Sequence, residues 1–162
     1  MSFDADADAE WLLDLNIETH CVLCRSCLID NDTGVLADEQ LRQGIGLFND
    51  GEFFRCHEVL EEAWRLERGL RRQFLQAVIH VAVGFYHSQR GNTEGAVRQL
   101  RKGLEKLSAY VPSCEGMDTA QLYRDALVAT EAIEAGIRLS TYPQIHASSD
   151  MSSYLLGHPR PQ

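Results

Sequence analysis

The sequence predicts an all-α protein, a compact bundle of about five helices with a short N-terminal arm and an irregular C-terminal tail. Three observations carry that reading. Apolar residues recur at three- and four-residue spacing through most of the chain, as one buried face of a helix requires. Clusters of Asn, Asp, Gly and Pro interrupt those runs where helices would end. With 162 residues, 44% of them hydrophobic, the chain can bury one core of its own. The organisation this predicts is an acidic tail and Cys-containing arm over 1–34, the bundle over 35–140 and an irregular tail over 141–162.

Taken in order, Asp4, Asp6 and Asp8 set like charges too close for compact local structure. Trp11, Leu12, Leu15, Val22, Leu23 and Leu28 can anchor a short arm. Helix one is expected from about Ala37 to Phe48, with Leu36, Leu41, Ile45 and Phe48 as its apolar stripe. Asn49-Asp50-Gly51 stops it. Helix two covers Phe53 to Glu67, where Phe53, Leu60 and Trp64 share one face and His57 and Glu61 lie beside them. Arg65, Arg68, Arg71 and Arg72 crowd the connection around Gly69 and read as a solvated loop. Helix three, Leu70 to Gln89, is apolar around most of its circumference and should be central. Arg90-Gly91-Asn92 ends it, and Asn92 can cap helix four, Thr93 to Tyr110. After a break at Pro112 and Gly116, helix five runs from Asp118 to Leu139 on Leu122, Ala126, Ala129, Ile133 and Ile137.

Charge narrows the partners. Acidic residues outnumber basic ones by 24 to 15, a net charge of -9, which argues against nucleic acid as the partner. No apolar run is long enough to span a bilayer, and the acidic start lacks the basic-then-apolar order of a secretory signal, so the expected location is cytoplasmic. The apolar circumference of helix three exceeds what one small bundle obviously covers, which points to a homodimer through apolar helix faces. Cys21, Cys24 and Cys27 form a thiol cluster with metal or redox spacing, against which stands the ordinary reading of small buried thiols.

Polar residues on two otherwise apolar helices are the candidates for function. Gln76, His80 and His87 recur along one stripe of helix three, with Tyr86 beside it. If helices two and three form an antiparallel hairpin, His57 sits level with His80 and Glu61 with Gln76. Bundles build metal sites from such facing side chains, and zinc, iron or manganese would suit His57, Glu61 and His80 as ligands. Glu58 could then act as a general base on a metal-bound water. A second reading is a cleft for a small polar ligand or a protein partner, lined by His57, Glu61, Trp64, Gln76, His80, Tyr86, His87 and Arg90. A third is a satisfied structural network, with His80 as a hydrogen-bonded core histidine and Trp64 and Tyr86 as core packing.

The central stretch also resembles a family of small bacterial and archaeal helical proteins, domain of unknown function 309. The resemblance runs from about Leu41 to Leu107. It rests on Asn49, Gly51, Phe54, His57-Glu58, Glu61 and Trp64, then on Arg72, Phe74, Gln76, Ile79, Ala82, Phe85, Tyr86 and His87. Arg90-Gly91-Asn92, Gly95 and Ala96 complete it. It implies an all-helical fold and a hydrolase or metal role centred on His57 and Glu61, with no established reaction. Where the family typically has Gln, this chain has His80.

Overall fold

The computed structural model describes residues 33–148. Five α-helices follow one another there: α1 (Thr33–Asn49), α2 (Phe53–Leu66), α3 (Gly69–Gln89), α4 (Thr93–Leu107) and α5 (Thr119–Glu134). A 3-10 turn over Ser108–Tyr110 extends α4. The all-α expectation holds, and none of these helices is long and apolar enough to cross a membrane. The acidic arm and the Cys21, Cys24 and Cys27 cluster lie outside the described residues, as does the side chain of Leu36.

Packing is mostly neighbour on neighbour: α1 on α2, α2 on α3, α3 on α4 and α4 on α5. Helix α3 is the central member because α2 and α4 both lean on it. Its run Phe74, Leu75, Ala77, Val78, Ile79, Val81, Ala82 and Phe85 is buried within this one chain. The surplus of apolar surface read from its sequence is therefore consumed internally, and that argument for self-association loses its ground. Close approach of α3 and α4 depends on Gly84 and Gly103. A Cβ at Gly84 would fall 2.5 Å from Leu100 Cγ, and one at Gly103 would meet the Val81 backbone nitrogen at 3.0 Å and the Ala77 carbonyl at 3.2 Å. At the far end of the core, Phe48, Phe53, Phe85 and Tyr142 pack their rings edge to face or tilted, 5.1 to 6.0 Å apart.

Helix α1 begins at Thr33, four residues before the expected Ala37, and two further features depart from the expected helices. A two-stranded antiparallel hairpin, β1 (Ser113–Cys114) and β2 (Met117–Asp118), fills the break before α5. Its two-residue turn takes positive φ at both Glu115 (50°) and Gly116 (75°), the backbone that matches strand twist in a tight hairpin. Helix α5 then ends at Glu134, five residues short of the expected Leu139. Gly136 adopts φ 78° and its N–H bonds back to the Ile133 carbonyl, which stops the helix. Ile137 is accordingly 59% exposed and is not part of the buried stripe.

Beyond α5 the chain returns across the bundle as a strap. Tyr142 joins the aromatic cluster and Ile145 is buried. The Asn49 side chain clamps Ile145 from both sides: Nδ2 donates to its carbonyl at 2.9 Å and Oδ1 accepts from its N–H at 2.7 Å. Three residues on, Ser148 N–H donates to the Gly116 carbonyl, and Ala147 bridges to Met117.

Candidate functional site

Phe53 and Phe54 open α2 as neighbours, about 100° apart around the helix axis, and the buried stripe of Phe53, Cys56, Leu60 and Ala63 leaves Phe54 to one side. Phe53 takes the core at 1% exposure, and Phe54 is left 46% exposed. One turn later the His57 Nδ1–H donates to the Phe54 carbonyl at 2.8 Å, which fixes the imidazole. Its Nε2 then faces the Glu61 carboxylate at 3.6 Å, one further turn along. Glu61 is shared with Arg65 at 3.5 Å. Helix α3 completes the face. The Tyr86 ring lies 5.3 Å from Phe54, the His57 ring also 5.3 Å from Phe54, and His87 6.1 Å from Tyr86. Four rings thus form a row across α2 and α3, with one carboxylate at its end.

His87 is held at the α3–α4 corner. Asn92 Nδ2 donates to its Nδ1 at 3.2 Å while Asn92 Oδ1 caps α4 on the Gly95 N–H at 2.9 Å. Burial, and then the Arg98 charge, hold its pKa below the ordinary 6.5, which favours the neutral ring. Beside His57 in sequence, Cys56 turns into the core, and burial pushes its thiol up to about 12. It stays protonated and unreactive at neutral pH.

The other predicted residues lie elsewhere. His80 is 8% exposed and its Nδ1–H donates at 2.8 Å to Oε1 of Gln99, itself 4% exposed, on α4. His80 is thus a core histidine tied through Nδ1 to the neighbouring helix. His57, Glu61 and His80 are not assembled into a three-ligand group: among the described residues, no set of three His, Cys, Asp or Glu side chains could hold a metal ion. The physical reason is that His57 is turned to its own helix by the Phe54 carbonyl and Glu61, while His80 is engaged from α4. Glu58 is exposed on the outer side of α2, and Gln76 is partly buried on α3. Arg90 is exposed, and its backbone N–H closes the end of α3 on the Tyr86 and His87 carbonyls.

Trp64 belongs to the α2–α3 corner, where the Arg72 guanidinium stacks 3.6 Å over its ring. Arg72 also donates to the Trp64 carbonyl at 2.9 Å and the Glu67 carbonyl at 3.3 Å, so it caps the exiting end of α2. Arg71 pairs with Glu67 at 2.9 Å and with Glu115 at the hairpin turn at 3.5 Å. The expectation of a solvated arginine loop fails for these two, because orphan carbonyls and two carboxylates converge on that corner. Sequence reasoning passed over Phe54 as a site residue. The signal was present in the tandem Phe53-Phe54, since Phe54 falls outside the stripe that Phe53 and Leu60 define.

Comparison with known proteins places the same stretch. The uncharacterized protein YpuF of Bacillus subtilis (strain 168) is 33% identical over 108 residues, covering 65% of this chain and 55% of that protein. An uncharacterized protein of Aquifex aeolicus (strain VF5) is 22% identical over 98 residues, covering 59% of this chain and 29% of its own. The chain thus spans about half the length of the first relative and under a third of the second. The ring row lies within the segment matched by the family model, whereas the hairpin, α5 and the strap lie outside it. The resemblance drawn from the motif residues is thereby borne out: residues 41–99 match the family described as Domain of unknown function (DUF309).

Proposed function

We propose that the α2–α3 face around Phe54 is a binding surface for a polypeptide partner, which sets an apolar or aromatic anchor against Phe54 and Tyr86. One observation carries this reading. Phe54 is 46% exposed, yet the His57 and Tyr86 rings both lie 5.3 Å from its own. Isolated exposed apolar side chains are common on any surface, but a contiguous, braced aromatic row is the composition of interaction hot spots. The His57–Glu61 pair and His87 supply a polar border with hydrogen-bonding atoms, as the rim of such a surface requires. His57 has a positioning part here, because its hydrogen bond to the Phe54 carbonyl secures the first turn of α2.

The test is selection of peptides from a random display library against the full chain, followed by fluorescence polarisation on the enriched sequences. Those peptides should share an aromatic or branched aliphatic anchor, and Phe54→Ser should weaken them by roughly tenfold or more. The variant should keep its helical circular dichroism, since the side chain it truncates is half in solvent. Enriched peptides that bind Phe54→Ser as well as the parent, or no enrichment at all, would reject the reading.

A further inference from the structure

Helix α5 buries Leu122, Ala126, Ala129 and Ile133 against the bundle, and the opposite side of the same helix is not a polar face. Leu127 is 38% exposed and Val128 65% exposed, two of the five large hydrophobic residues that stand out from the described surface. Arg124 and Glu131 flank them on the same stripe, at the three-, four- and seven-residue spacings of one helix face. Neither charge has an opposite charge within the chain among the described residues. Among the described residues Arg124 reaches only the Gln121 side-chain carbonyl, at 2.9 Å, and the Glu131 carboxylate has no ion pair.

The order Arg124, Leu127, Val128, Glu131 is self-complementary when reversed. We infer that this face docks a second copy of the chain, the two α5 helices packing antiparallel about a two-fold axis between Leu127 and Val128. In that arrangement each Leu127 meets the Val128 of the other copy, and each Arg124 meets the other copy's Glu131. Ala120 and Ala135 come opposite each other at the outer ends, where small side chains let the helices stay close. A two-fold contact of this kind uses one patch twice, so every favourable pair is made twice. A parallel pairing in register would instead set Arg124 against Arg124 and Glu131 against Glu131, so the charges also select the direction. Only one helix from each copy takes part, which puts the contact at the small end of stable interfaces. The dimer is therefore expected to dissociate in the micromolar range.

Sedimentation velocity on the full chain, from low micromolar to submillimolar concentration, is the experiment. The parent should pass from monomer to dimer across that range. Val128→Glu, which places two like charges at the axis, should be monomeric throughout and should melt as the dilute, monomeric parent does. Arg124→Glu and Glu131→Arg should each weaken dimerisation by roughly tenfold, because each creates two like-charged pairs. The double exchange restores opposite pairs and should return the affinity to within about threefold of the parent. A parent that is monomeric at every concentration overturns the inference. A dimer indifferent to Val128→Glu also overturns it, and assigns association to the Phe54 face or to chain outside residues 33–148. Loss of the dimer in Val128→Glu without rescue by the double exchange refutes the antiparallel pairing.

Discussion

Replacing His80 separates a buried hydrogen bond from a ligand role. His80 and Gln99 are almost wholly enclosed and bond each other at 2.8 Å, so removing one partner strands the other in a place water does not reach. In His80→Leu the volume is nearly kept but the donor is lost, and Gln99 Oε1 is left without it, at a cost of about 1–3 kcal/mol. His80→Ala adds the lost packing of the ring, for a total of about 2–4 kcal/mol. His80→Gln keeps an N–H donor on a flexible side chain of similar reach, and should cost under about 1 kcal/mol. At about 4 °C per kcal/mol for a domain of this size, the melting temperature should fall by roughly 8–16 °C for Ala and by under about 4 °C for Gln. Urea unfolding followed by circular dichroism gives the free energies directly. Equal losses for Gln and Ala, or no loss for Ala, would refute the hydrogen-bond argument.

Two further predictions follow from the same geometry. Asn49→Ala removes both clamp bonds to Ile145 and should cost about 1–3 kcal/mol, whereas Asn49→Asp keeps the acceptor but turns a second acceptor oxygen on the Ile145 carbonyl and should cost at least as much; hydrogen exchange at the Ile145 amide, measured by NMR, should accelerate in Asn49→Ala. The Cys56 thiol, raised by burial from 9.0 to about 12, makes stability pH-dependent on the alkaline side. Between those values the unfolded chain releases the proton that the folded chain retains, so stability is full below pH 9 and should fall by about 1.4 kcal/mol per pH unit above it. Urea titrations of the parent and of Cys56→Ala across that range should diverge in slope, and parallel curves would count against it.

The helical periodicity announced the bundle, and local chemistry announced its punctuation. Asn92 could be assigned as a cap because its partner, Gly95, is only three residues away. Asn49 could not be assigned as a clamp, because Ile145 is 96 positions distant and nothing local marks the pairing. The hairpin escaped for a different reason: strands of two residues carry no period to detect. At the site, His57 and Glu61 were legible as a pair because helical spacing alone brings them together. Facing residues across the α2–α3 hairpin could be ranked by level but not by rotation about each axis. Rotation is what gave His80 to Gln99 on α4 and left Tyr86 beside Phe54. Arg71 and Arg72 read as loop charges because the carbonyls and carboxylates that claim them appear only once the corner is folded.

A row of helices in which each leans chiefly on the next resembles a stack of cards, and such stacks loosen from the end. The returning strap changes that behaviour. Within four residues it is fastened at Asn49, at the first corner, and at Gly116, in the hairpin that precedes the last helix. Opening the stack at either place means detaching the same short length of chain, so the two ends are joined into a single cooperative circuit.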